Sequence, residues 1–121
     1  MSKPLIAWSP IRDENQLNWS YLRCVRTIRN IAKRHSYGVG FHGSFRRDLD
    51  VIAVPWSEHA SPADQLADAI QLAICGHKDA SRSWTKKPHG RRATTLAIAM
   101  NAFIDLSVAP FIERPTSESR S

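Results

Sequence analysis

Apolar residues recur at helical spacing in two segments of the chain. From Gln16 to Ser36 they fall three and four positions apart, the spacing of one face of an amphipathic helix. A second helix is predicted after Ser61-Pro62-Ala63-Asp64, in which Ser61 would be the N-cap and Pro62 the first helical residue. Gly76 would end this helix, and its buried face is predicted to contain Leu66, Ile70, Ala73 and Ile74.

Four shorter segments have the composition of β-strands. Val39–Ser44 and Asp50–Trp56 are close together in the chain, which predicts an antiparallel hairpin. Arg92–Met100 and Phe103–Pro110 flank Asn101-Ala102, where a tight turn is expected. The second of these four strands is apolar at consecutive positions, so we expect it to be covered on both faces.

This order of elements predicts one α+β domain over residues 1–112, a small mixed sheet of about four strands packed with two helices. The polar segment 113–121 is predicted to be a disordered tail. No apolar stretch approaches the roughly 20 residues of a membrane span, and the N-terminus lacks the features of a signal peptide. We therefore expect a cytoplasmic protein, with Cys24 and Cys75 as free thiols.

Charge narrows the range of partners. The chain of 121 residues carries a formal net charge of +6, which favours anionic ligands such as nucleotides or nucleic acids. The first helix has a basic side, which is either a solvated surface or a wall facing an anion. That side contains Arg23, Arg26, Arg29, Lys33 and Arg34.

Three acids lie in strand-like sequence. Asp48 and Asp50 are separated by one residue, so they would project from one face of a strand about 7 Å apart and repel each other without a cation between them. Asp105 interrupts a later apolar run, where an unpaired carboxylate is costly to bury. The three would suit Mg²⁺, which bridges carboxylates to phosphates. The alternative is ordinary ion pairing with the adjacent Arg46 and Arg47.

The segments HGS at residues 42–44, DLD at 48–50 and IDL at 104–106 resemble the minimal nucleotidyltransferase domain of the DNA polymerase beta type. The resemblance implies that Asp48, Asp50 and Asp105 are catalytic metal ligands and that Gly43 and Ser44 contact phosphate. Residues 45–47 alone separate the Gly-Ser turn from the first acid, whereas that family has a longer segment there.

A second resemblance covers the segments HGS, RDLDVIAVPW, KPHGRRA and FIDLSVAP, which together are similar to a group of small bacteriophage proteins. It implies a viral origin and a location in the cytoplasm of the host cell. It implies no particular reaction.

Further candidate ligand-binding residues surround these motifs. The long polar segment from His77 to Arg91 is predicted to be an exposed loop, and it is either functional or simply solvated. Its cations could clamp phosphate, and the imidazole of His89 could donate a proton. Trp84 could stack on a base or pack against the core. The remaining candidates are His42, Arg46, Arg47, Lys87, His89, Arg91 and Arg92.

Two hypotheses of different classes follow. In the first, the chain is a nucleotidyltransferase-like nucleotide-binding protein and, if it is an enzyme, transfers a nucleotidyl or phosphoryl group with Mg²⁺. In the second, it is a non-catalytic sponge that sequesters a nucleotide-derived immune signal of the host, and a homo-oligomer would suit that role. A nucleic-acid-binding module ranks third, because the sequence has the charge but none of the familiar recognition motifs.

Overall fold

The computed structural model describes residues 14–42, 48–99 and 102–112, and it describes side chains over residues 23–42, 49–98 and 103–112. These ranges contain two α-helices and five strands, together with a short 3₁₀ turn at Pro88–Gly90. The predicted tail, residues 113–121, lies outside the described residues. The elements are α1 Glu14–Arg34, β1 Tyr37–His42, β2 Asp48–Pro55, α2 Ala63–Cys75, β3 Thr85–Lys86, β4 Arg92–Ala99 and β5 Ala102–Val108.

The strands form one mixed sheet in the order β1-β2-β5-β4-β3. The pair β2–β5 is parallel, and the pairs β1–β2, β4–β5 and β3–β4 are antiparallel. The predicted α+β class, the two helices and the mixed sheet are therefore confirmed. The strand count differs by one, because β3 is two residues long and lies inside the segment that was predicted to be a loop.

Both helices pack on the same face of the sheet. In β5, Ile104 and Leu106 are fully buried against the helices, whereas Asp105 and Ser107 alternate onto the other face. The core combines these side chains with Ile28 of α1 and other residues of α2 and β4. We call the opposite side of the sheet the open face, since no helix within the described ranges covers it.

The expectation that β2 is covered on both faces is wrong for the described part of the chain. Leu49, Val51 and Ala53 are buried beneath the helices, but Val54 on the open face is 50% exposed. Apolar residues at consecutive positions therefore do not imply two covering layers here. They place an apolar surface on the open face beside the end of β2.

The helix boundaries differ from the prediction in two places. Helix α1 ends at Arg34, and a turn at His35–Ser36 leads directly into β1. Ser61 is not the N-cap of α2, since Pro62 holds that position without a side-chain cap. The Ser61 hydroxyl instead hydrogen-bonds His35 Nδ1 at 2.8 Å, which ties the end of α1 to the start of α2.

The predicted end of α2 at Gly76 is confirmed. Gly76 has a left-handed backbone with φ of 82°, and its N–H donates to the Leu72 carbonyl at 3.0 Å.

A tight corner precedes β4. Gly90 has φ of +76°, and a Cβ at this position would lie only 3.1 Å from Pro110 Cγ. Backbone strain and close contact therefore both favour glycine here.

We expect Gly90→Ala to lower the free energy of unfolding by about 1–3 kcal/mol, measured by urea denaturation.

Gly40 in β1 provides a matched control for that substitution. Nothing lies within 4 Å of a Cβ added there, and its φ is not in the left-handed region. Gly40→Ala should be neutral or stabilise by about 0.5 kcal/mol, because alanine restricts the unfolded chain. Equal losses in the two variants would contradict the account of the Gly90 corner.

Burial also sets the acidity of one thiol. Cys24 is inaccessible to solvent, and this desolvation raises its pKa from 9.0 to about 12, with Arg23 opposing the shift. Above pH 9 the unfolded chain loses this proton while the folded chain keeps it, so the free energy of unfolding should fall as the pH rises toward 12.

Urea denaturation across this pH range compares the protein with Cys24→Ala. The variant should show a shallower decline of stability with pH, whatever its stability at neutral pH. Identical slopes for the two proteins would contradict a raised pKa at Cys24.

Candidate functional site

The parallel pairing of β2 with β5 places two of the predicted acids side by side. Asp50 and Asp105 are register partners, and both lie half-buried on the open face. Neighbouring strands are about 4.8 Å apart, so the two carboxylates are first neighbours across the sheet. This juxtaposition depends on pairing between segments far apart in the chain.

The strands that flank this pair, β1 beside β2 and β4 beside β5, add one polar side chain next to each acid. His42 on β1 is the register partner of Asp50, and its Nδ1 lies 3.7 Å from Asp50 Oδ2. Thr95 on β4 is the register partner of Asp105, and its hydroxyl donates to Asp105 Oδ1 at 2.9 Å. Four strands thus contribute one residue each to a line across the open face. We call His42, Asp50, Asp105 and Thr95 the polar row.

Two cations of the basic segment line a cleft together with three members of this row. A cleft of about 260 Å³ is lined by Asp50, Asp105 and His42 together with Lys87 and Arg91. The turn that carries the cations is closed by a 2.8 Å hydrogen bond from the Lys87 N–H to the Arg91 carbonyl. We call this the acid–cation cleft. Its composition suits a ligand that contains both anionic and cationic groups, such as a phosphate with a bound metal ion.

A hydroxyl in the acid–cation cleft has no hydrogen-bond partner among the described residues. Ser107 lies two positions after Asp105 on β5 and lines the cleft, and its Oγ is inaccessible to solvent. A buried hydroxyl without a partner carries a free-energy cost.

A second cleft continues from the first. It has a volume of about 500 Å³ and shares Lys87, Ala93 and Asp105 with the acid–cation cleft. Its remaining lining is rich in hydroxyl side chains from the segment before β4, including Ser81 and Thr85. Because the two clefts share Lys87, Ala93 and Asp105, a ligand larger than a single phosphate could extend from one into the other.

Three of the predicted ligand residues lie elsewhere. The Arg92 guanidinium is 5.0 Å above the Trp84 ring, and Trp84 Nε1 donates to Asp64 Oδ1 at 2.8 Å. These contacts hold Trp84 beside α2. Arg91 and Arg92 are consecutive and extended, so their side chains project to opposite faces of the sheet, and only Arg91 lines the acid–cation cleft. His89 is exposed in the turn and does not line the acid–cation cleft.

The remaining predicted residues belong to the Gly-Ser turn and the segment that follows it. Gly43, Ser44, Arg46 and Arg47 lie outside the described residues, as does the side chain of Asp48, the first residue of β2. Among described side chains, no three His, Cys, Asp or Glu residues are grouped as metal ligands. Asp50 and Asp105 could supply two carboxylates to an ion, and water or a phosphate would supply further ligands.

A buried arginine that the sequence did not indicate anchors the segment leading to Lys87. The Arg82 side chain is only 5% exposed, and it donates to Asp68 Oδ1 at 2.8 Å and to Gln71 Oε1 at 2.9 Å. Gln71 is fully buried; its Nε2 donates to the Ala97 carbonyl, and its Oε1 also accepts from the Asp79 N–H. The sequence feature that could have indicated this network is Gln71, a polar residue on the apolar face of α2.

Comparison with known proteins gives no match, either to a protein-family model or to a curated protein sequence. Neither described helix combines the length and the apolar character needed to cross a membrane.

The Arg82 anchor can be tested against a second cation on the same carboxylate. Arg82→Met removes both side-chain bonds and leaves Asp68 half-buried without its main partner, so we expect a loss of about 2–4 kcal/mol in unfolding free energy. Lys78 Nζ lies 3.8 Å from Asp68 Oδ2 and is mostly exposed, so Lys78→Met should cost less than about 1 kcal/mol.

Chemical denaturation measures both losses, and hydrogen exchange at the Asp79 amide reports on the local anchor. Similar losses in the two variants, with unchanged exchange at Asp79, would show that Arg82 is not an anchor.

Proposed function

We propose that the protein is a nucleotide-binding protein of the nucleotidyltransferase-like type that takes the phosphates of its ligand into the acid–cation cleft. The observation that carries the proposal is the in-register position of Asp50 beside Asp105, with Lys87 and Arg91 lining the same cleft. Adjacent carboxylates favour a divalent cation, and neighbouring cations favour phosphate oxygens. A nucleotide with bound Mg²⁺ satisfies both preferences.

Each group has a role in this proposal. Asp50 and Asp105 hold Mg²⁺, with Asp48 as the third acid that the nucleotidyltransferase resemblance implies. Lys87 and Arg91 contact phosphate oxygens. Mg²⁺ would polarise a phosphoryl oxygen and so favour nucleotidyl or phosphoryl transfer. Gly43, Ser44, Arg46 and Arg47 remain predicted phosphate contacts on the basis of sequence alone.

The alternative is a non-catalytic sponge for a nucleotide-derived signal of host defence, in keeping with the resemblance to small bacteriophage proteins. One observation favours it. His42 lies near Asp50 and Thr95 hydrogen-bonds Asp105, so the polar row provides polar partners for both acids within the sheet itself. In this case Lys87 and Arg91 carry the binding energy, and Mg²⁺ contributes little.

The substitution Asp105→Asn separates these two roles. Its amide oxygen can still accept the Thr95 hydroxyl, so the sheet should remain intact while one charged metal ligand is lost. With nucleoside triphosphates and cyclic dinucleotides as probes, an enzyme should lose Mg²⁺-dependent product and at least about tenfold of its Mg²⁺-dependent affinity. Calorimetry measures binding, and mass spectrometry detects products.

The pair Lys87→Gln and Arg91→Gln should weaken binding under either reading, with Lys78→Gln as a control outside the acid–cation cleft. A sponge would bind equally with and without a chelator and would tolerate Asp105→Asn. Absence of binding by the unaltered protein to every nucleotide probe, with and without Mg²⁺, would refute both readings.

A further inference from the structure

A basic groove lies on the other side of β1 from the acid–cation cleft. Arg26, Arg29 and Lys33 are three and four residues apart, so they form one stripe on α1. The stripe lines a groove of about 430 Å³ whose opposite wall is formed by Tyr37 and Gly38 at the start of β1. Because β1 is an edge strand of the sheet, no other strand within the described residues lies along its outer side. We call it the α1–β1 groove.

The cations of this groove face solvent. All three are exposed, and no ion pair found within the described residues involves any of them. The Arg29 guanidinium lies 5.7 Å from the centre of the Phe41 ring, which orients it on the groove wall. From Arg26 to Lys33 the stripe extends about 10 Å along the helix axis. It therefore presents a short line of positive charge to an extended polyanion.

An exposed aromatic ring ends the groove. Trp56 is 56% exposed, and it lines both the α1–β1 groove and a neighbouring apolar cleft of about 750 Å³. That cleft continues over Val54 and Phe111, which are also exposed. Gly38 belongs to both clefts, and a Cβ there would contact only the Val54 carbonyl, at 4.0 Å. At Gly38, where the two clefts meet, no side chain projects from β1.

We propose that the α1–β1 groove binds single-stranded nucleic acid, with phosphates along Arg26, Arg29 and Lys33 and a base stacked on Trp56. A line of cations beside exposed aromatic rings is the arrangement by which proteins hold single strands without reading their sequence. An acidic peptide would meet the same cations, but the exposed indole of Trp56 suits the face of a base better. The site is independent of the proposed nucleotide function, because it shares no lining residue with the acid–cation cleft.

The test uses fluorescence anisotropy of labelled oligothymidylate and oligouridylate of about 12 nucleotides, a length within the usual range for single-strand sites. The double variant Arg26→Gln/Lys33→Gln leaves the Arg29–Phe41 contact intact. It should bind at least about tenfold more weakly at low salt, and the slope of log affinity against log salt should decrease by about 1.4, or 0.7 per lost phosphate contact. Trp56→Ala should weaken binding about tenfold with little change in that slope.

The matched control is Lys78→Gln/Lys86→Gln, which removes the same charge from exposed positions outside the groove. It should retain most of the affinity and of the salt slope. An equal loss in the control would show that net charge alone causes binding and would overturn the proposal, as would failure of the unaltered protein to bind either oligonucleotide.

Three further comparisons complete the test. Complete competition by polyglutamate at equal charge concentration would assign the groove to acidic peptides and refute the nucleic-acid proposal. A preference for the uridylate or thymidylate strand would identify RNA or DNA as the ligand. Retained binding by Asp105→Asn and by Lys87→Gln/Arg91→Gln separates this groove from the acid–cation cleft.

Discussion

The parallel alignment of β2 with β5 is the constraint on which the rest of this structure depends. Parallel neighbours cannot be joined by a tight turn, so the chain must cross the sheet between them, and here α2 and β4 lie in that connection. The alignment also sets Asp50 against Asp105. A slip of one residue in the pairing would turn the acid of one strand into the core and its apolar residues out to solvent. Burial of Leu49, Val51, Ile104 and Leu106 therefore favours the observed register.

The connection is held by polar groups as well as by the apolar core. Gln71 on α2 hydrogen-bonds Ala97 of β4, and its side-chain oxygen accepts from Asp79 and Arg82 in the segment that precedes β4. This anchor lies several residues before Lys87 in the chain. The position of the basic turn beside the acids therefore depends on this buried network against α2 as well as on local turn geometry.

Local patterns predicted the elements well, and long-range pairing limited what could be predicted about the site. Helical periodicity and alternation gave both helices and four of the strands, since these depend on residues close in sequence. The position of Asp105 beside Asp50 was an expectation that periodicity could not establish. Arg92 and Arg91 looked equivalent as cations, yet one packs on Trp84 and the other lines the acid–cation cleft. Arg91 and Arg92 project to opposite faces because side chains alternate along a strand. The sequence predicted that Arg91 lies in a polar loop, where no such alternation is expected.

The burial of Arg82 was not predictable, because its partners lie on a helix 11 and 14 residues earlier. Ser61 shows the same limit, since a plausible helix cap forms a tertiary hydrogen bond with His35 instead. In both cases a polar side chain met a partner that only the packed structure supplies.

The polar row has one more consequence. Its four side chains stand on the open face, while their immediate neighbours in β2, β4 and β5 face inward and form the core. Mutational change in the row is thereby largely uncoupled from the residues that hold the sheet together. Such a division should let substitutions replace acids, hydroxyls or imidazoles one at a time while the scaffold persists, so the chemistry of this face can change without loss of the fold.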